Sequence, residues 1–147
     1  MNTNNNDTAA AGMDEFFTRD KANEGIQVPL WRPDGTKSDH WVRIIGIDSD
    51  VFRQADAEAR RDAIRIAQLD GSERSGEILR TKRRLIAHLV VAWSFPAECN
   101  VDNVAEFFTN APQIMDAIDT AASKRTLFFA TRSSSSEPSP STSSAST

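Results

Sequence analysis

The stretch WVRIIGIDSDVFRQADAEARR, from Trp41 to Arg61, changes period in midstream. Trp41, Val42, Ile44, Ile45 and Ile47 are β-branched or aromatic and crowd together as strand residues do. Beyond Asp50, Ala55, Ala59 and Ala63 stand among charges at helical spacing. Any fold of this chain must therefore put a short strand and a long charged helix on either side of a sharp hinge at Asp48-Ser49. Either hinge residue is a good N-cap, because its side-chain oxygen accepts from an orphan backbone N–H of the first turn. Asp50 adds an acid near the positive end of the helix dipole. The spacing predicts a helix over about 50–69, with Val51, Phe52, Ala55, Ala59, Ala63, Ile66 and Ala67 on one face. That face is mostly alanine, so another element can approach it closely.

Upstream of the hinge, Ile26, Val28 and Leu30 alternate with Gln27 and Pro29, a half-buried strand at a sheet edge, since Pro29 donates nothing to a ladder. Arg32-Pro33-Asp34-Gly35 reverses the chain, and about 40–47 is the second strand. Downstream, a helix over about 73–93 carries Ile78, Leu79, Leu85, Ile86, Leu89, Val90 and Trp93. Its C-terminal half is apolar almost all round and is expected at the centre of the core. Pro96 stops it. A short helix over about 101–109 carries Val104, Phe107 and Phe108, and Pro112 opens a last helix to about Phe129. The expected fold is α+β and mostly α: an N-terminal β-hairpin (about 25–47) on a small bundle of about four helices (about 50–130).

The ends differ from the middle. Residues 1–20 and the Ser/Pro/Thr tail at 133–147 have too little apolar surface to offset the entropy of ordering, so disorder is expected there. Residues 21–132 are expected to form a single domain. The net charge of −4 among 147 residues gives no general attraction to nucleic acid. The lone Cys99 supports neither a disulfide framework nor a cysteine zinc site. The N-terminus does not read as a signal peptide, and Leu89–Trp93, the longest apolar run, is far too short to cross a bilayer.

Chemistry is sparse. His88 lies among apolar residues and reads as a packed histidine. His40 beside Asp39 resembles half of a base-and-orienter pair, without a serine or cysteine in a nucleophile context. Cys99 has no basic neighbour in sequence to make a thiolate. The basic run Arg80-Thr81-Lys82-Arg83-Arg84 is followed, from Phe95 to Thr120, by Glu98, Asp102, Glu106, Asp116 and Asp119 with no Lys or Arg. Basic and acidic elements adjacent in sequence are expected to lie side by side. No catalytic, cofactor-binding or metal-binding residue is expected. Partner-binding candidates are aromatic. Phe107-Phe108 and Phe128-Phe129 are adjacent pairs whose rings diverge on a helix. Trp31 and Trp41 sit on a hairpin that is marginal unless covered. Both pairs as plain core is the competing reading.

VPLWRPDGTKSDHWVRIIGIDSDVFRQA resembles the start of tail assembly chaperones of long-tailed (siphovirus-type) bacteriophages. There a β segment around a PDG-type turn leads through a W-hydrophobic-x-G-x-DS stretch into a helix. VDNVAEFFTNAPQIMDAIDTAASKRTLFF is similar to that family's second hallmark, carried here by Asn103, Phe107, Pro112, Ile114, Ile118, Arg125 and Phe128. Together they span about residues 25–130. The resemblance implies a non-enzymatic assembly factor without cofactors. It would bind the tape measure protein, hold it soluble and help recruit tail tube subunits, in some relatives through a frameshifted longer form. It would act in the host cell cytoplasm and be absent from the mature virion. Self-association is open, and no membrane partner is expected. Two alternatives stand beside it: a structural virion protein of the head–tail joining or tail-completion type, and a small nucleic-acid-binding regulator using residues 80–84.

Overall fold

A computed structural model describes residues 12–129. The disorder expected of residues 1–11 and 133–147 lies outside the described residues. After a 3-10 turn at Met13–Phe16 come α1 (Arg19–Glu24), β1 (Ile26–Trp31), β2 (Lys37–Ile44), α2 (Asp50–Ala67), α3 (Gly71–Ala87), β3 (Val90–Trp93), α4 (Val101–Asn110) and α5 (Pro112–Ser123). A further helical turn covers 125–129. The fold is α+β and mostly helical, with an antiparallel sheet ordered β1-β2-β3. β1 is an edge strand, with Val28 opposite Val42 and Pro29 opposite Trp41.

The third strand departs from the expected long helix. Helix α3 ends at Ala87, and Val90–Trp93 runs back along β2, with Ile44 opposite Val90 and Val42 opposite Trp93. A short run that is apolar all round has the same pattern in a buried strand as in a buried helix. The paired β-branched residues Val90 and Val91 favour the strand. The inner face of the sheet and the helices meet in one core of Ile26, Leu30, Val42, Ile44, Ile86, Leu89, Val90, Val104, Phe108, Ile114, Met115 and Ile118.

The expectation that α3 fills the core centre is corrected as well. Of its side chains only Ile86 and Ala87 are buried. From Gly71 to Arg80 every residue but Glu77 is exposed. Helices α2 and α3 form a hairpin arm whose far end projects beyond the core. The alanine face of α2 is covered at Ala55, half-covered at Ala59 and open at Ala63.

The hinge divides its two roles. Ser49, fully buried, is the N-cap of α2, and its Oγ accepts from the Phe52 N–H at 3.3 Å. Asp48 instead gathers distant donors. It accepts from Arg125 Nε at 2.6 Å and Nη2 at 3.0 Å, from Thr18 Oγ1 at 2.7 Å and from Arg53 Nη2 at 2.9 Å. The next carboxylate, Asp50, takes Arg19 at 2.7 and 3.0 Å, and its N–H donates to Asn23 Oδ1 at 2.8 Å. These bonds bring Thr18 and Arg19 into the folded unit, ahead of the boundary at residue 20 drawn from composition. Their partners lie some 30 residues away, so local composition carries no trace of them.

Two glycines let α1 close on the hinge. Gly25 has φ of 76°, and a Cβ there would collide with the Ile44 carbonyl. A Cβ on Gly46 would stand 3.0 Å from the Ala22 side chain and 3.4 Å from the Phe128 ring. Gly25→Ala is therefore expected to destabilise the fold by about 1–3 kcal/mol, combining a strained positive φ with displacement of β2. Chemical denaturation checks this, and a midpoint equal to that of the parent would refute it.

Candidate functional site

The strand edge and the last helix enclose an apolar groove of about 440 Å³. One wall is β1 and the turn after it, from Val28 to Pro33. The other is the face of α5 made by Gln113, Ile114, Ala117, Ile118 and Ala121. Ala117 and Ala121, one turn apart, are too small to fill the space opposite the strand. A second lobe of about 300 Å³ continues past Leu30, Trp31 and Ile114 to His40, Phe95, Phe107 and Asn110. Its floor is an aromatic cluster. Phe107 meets Phe95 at 5.3 Å and Trp93 at 5.9 Å, both edge-on, and His40 stacks on Phe95 at 4.6 Å. Such offset and edge-on pairs fix ring positions beyond what area burial achieves.

Trp31 lies at the junction of the two lobes and is 54 % exposed. An open cleft of about 500 Å³ between α2 and α3 is larger, but it is lined by Glu58, Arg61, Asp62 and Arg84 as well as Ala55, Ala59 and Leu85. The β1–α5 groove is the more enclosed and the more apolar, as partner-binding hollows are, and the candidate site is placed there.

Of the six aromatic candidates, the structure brings two together. Trp31 and Phe107 line one lobe. Phe108 and Phe128 are core residues, 1 % and 5 % exposed, and leave the candidate set. Phe129 is 40 % exposed, but it lies near Thr18 and Arg125, beside the Asp48 cluster. Trp41 is half-buried and pairs with Pro29 in the sheet. The groove also uses Leu30, Phe95, Asn110, Gln113 and Ala117, none of which was among the partner-binding candidates. For Leu30 the signal was the alternation of the edge strand, and for Gln113 and Ala117 the helix opened by Pro112; Phe95 and Asn110 reach the groove only through the tertiary fold.

The remaining polar candidates take structural places. His40 Nδ1 lies 2.9 Å from Ser94 Oγ, which also accepts from the Trp41 N–H at 3.0 Å. His88 Nδ1 donates to the Arg84 carbonyl at 2.8 Å, closing the end of α3. The Cys99 thiol points at the Val90 carbonyl, and burial pushes its pKa up, away from thiolate chemistry. In the basic run, Arg84 pairs with Asp102 at 2.8 Å, the side-by-side arrangement that the charge pattern suggested. Among the described residues no group of three or more His, Cys, Asp or Glu is placed to hold a metal ion, and no helix is long and apolar enough to cross a membrane.

The hinge segment and the last helical segment meet in space. Asp48 belongs to the first and Arg125 to the second, and their side chains form the bidentate pair at the hinge. No protein-family model, no curated protein and no solved structure matches the chain.

Proposed function

We propose that this chain is a non-enzymatic tail assembly chaperone of the long-tailed phage type. It binds the tape measure protein, keeps it soluble and helps recruit tail tube subunits around it, from the host cytoplasm. The observation that carries the reading is the mostly apolar groove between β1 and α5, with the exposed Trp31 where its two lobes join.

The backbone of β1 says what kind of guest fits. Trp41 directs both its N–H and its C=O toward Ser94, on the β3 side. In an antiparallel ladder its partner across the other edge then points its own backbone outward. That partner is Pro29, which offers a carbonyl there but no N–H. A guest strand added to this edge would keep an unpaired acceptor in an apolar groove, at a cost of about 1–3 kcal/mol. An amphipathic helix satisfies its own backbone and brings only side chains, which is the helix-in-groove mode. A tape measure protein, a very long amphipathic helical chain, supplies such segments.

The test is co-expression of the tape measure protein with the parent or with Trp31→Ser. Trp31 is mostly exposed, so the variant is expected to melt within a few degrees of the parent. It is also expected to lose co-purification with the client, which then enters the insoluble fraction. A variant that keeps the client soluble removes the groove from the mechanism. Recovery of the chain in purified virions would favour a structural virion protein instead.

A further inference from the structure

The walls of the groove are apolar, but its charge is one-sided. Arg32 lines both lobes, and no Asp or Glu is among the lining residues of either. The turn fixes this arginine. Its backbone N–H donates to the Thr36 carbonyl at 2.8 Å, and its carbonyl accepts from the Gly35 N–H at 2.9 Å. Its Nη1 donates to the Lys37 carbonyl at 3.0 Å and to Thr36 Oγ1 at 3.3 Å. Nε and Nη2 form the two-pronged edge of the guanidinium and have no hydrogen-bond partner among the described residues. Such an edge matches both oxygens of one carboxylate.

The acids at hand do not take it. Asp34, the nearest in sequence, accepts instead from the Thr36 N–H at 3.0 Å and from its hydroxyl at 2.7 Å. Asp39 on β2 and Glu106 on α4 are exposed and form no ion pair among the described residues. Lys37, paired with Trp31 across the hairpin, brings a second cation to the same end, again with no ion pair among the described residues.

We infer that the guest of the groove is an acidic amphipathic helix. Its apolar stripe fills the lobes beside Trp31, and an Asp or Glu bordering that stripe pairs with Arg32. This names the charge of the guest and rests on the helix-in-groove reading above. A guest with Lys or Arg at that border would meet Arg32 and Lys37 at close range, so the feature that binds one class of helix rejects the other. The net charge of −4 acts in the opposite sense on the guest as a whole. At about 0.15 M salt it is screened beyond about 8 Å, and the local cations decide.

The test is fluorescence anisotropy of two labelled synthetic peptides titrated with the purified full chain at that salt. Each is an amphipathic helix of about five turns with the same leucine stripe, bordered by Glu in one and by Lys in the other. The parent should bind the Glu peptide about tenfold more tightly, and the preference should shrink as salt is raised. The comparison on the parent depends on no variant folding. Arg32→Gln should remove most of the preference and Arg32→Glu should reverse it, with circular dichroism confirming that each is folded. Equal affinity for the two peptides, lost in Trp31→Ser, overturns the acidic guest and leaves the groove reading standing. A Glu preference that persists in Arg32→Gln also overturns it, by moving the acid to the basic run of α3. So does failure to bind either peptide, whether or not the parent sediments as a dimer whose second copy fills the groove. In that case the groove reading is judged separately, by whether Trp31→Ser loses the co-expressed tape measure protein.

Discussion

Phe108→Ser is expected to lower the melting temperature by on the order of 15–30 °C, while Phe129→Ser leaves it within a few degrees of the parent. Phe108 is 1 % exposed and is among the largest fully buried side chains of the core. Truncating a buried phenylalanine costs about 3–5 kcal/mol, from lost transfer energy and the cavity left behind. In a domain of this size each kcal/mol moves the midpoint by about 3–6 °C. Against a total stability of about 5–15 kcal/mol, that loss is a large share. Phe128 should behave like Phe108, because its ring packs at Ala22 and Gly46, where no larger neighbour can move in. Phe107→Ser should fall between, losing the edge-on contacts to Trp93 and Phe95 from a half-buried position. Thermal melts followed by circular dichroism rank the four, and a Phe108→Ser variant as stable as the parent would show that the core is misassigned. Phe107→Ser should also reduce client binding through the second lobe, whereas Phe129→Ser should not.

Asp48→Ala is expected to cost about 2–4 kcal/mol, although the residue caps no helix. Its side chain is 11 % exposed and accepts from two arginines and a threonine. Charge-assisted bonds of this kind contribute about 1.5–3 kcal/mol, and removing the acceptor leaves partly desolvated donors without it. The Arg125 guanidinium, with Thr18 and Arg53, holds the Asp48 carboxyl well below the usual carboxylate range. A carboxyl whose folded pKa is depressed contributes stability that is complete above the unfolded value of about 3.9 and is lost as pH falls toward the folded value. The stability difference between the parent and Asp48→Asn should therefore be constant near neutrality and shrink below about pH 4. Urea midpoints at several pH values measure it. A difference that stays unchanged down to about pH 2 would mean that the ion pairs are not its source. Ser49→Ala, which removes only the cap, should cost about 1 kcal/mol with no such acid dependence.

The hinge shows how much of this fold was legible. The change of period at Asp48-Ser49, the edge placement forced by Pro29, the turn at Pro33–Gly35 and the helix opened by Pro112 all rest on local chemistry, and each is found in the structure. Capping by Ser49 was legible for the same reason, since a cap reaches only three residues ahead. The candidate site was half legible. Aromatic pairs on one helix must diverge, which foretold that Phe107 and Phe108 would differ in burial, but not which ring the core would take.

What the sequence determined by itself is the set of short-range elements and the period of each. Tertiary structure alone decided the rest. It made Val90–Trp93 a strand, because β2 presented an unpaired edge to a run that is apolar in either conformation. It made Asp48 a junction, by bringing Arg125 to it from 77 residues away. It opened the groove, by setting two alanines of α5 opposite an edge strand that no other strand covers among the described residues. It left Ile78 and Leu79 in solvent, because α3 outruns the core it packs on. The physical reason is common to all four: hydrogen-bond periods and caps act within a turn or two of the chain, whereas burial and ion pairing depend on which distant surface arrives, and composition carries no record of that.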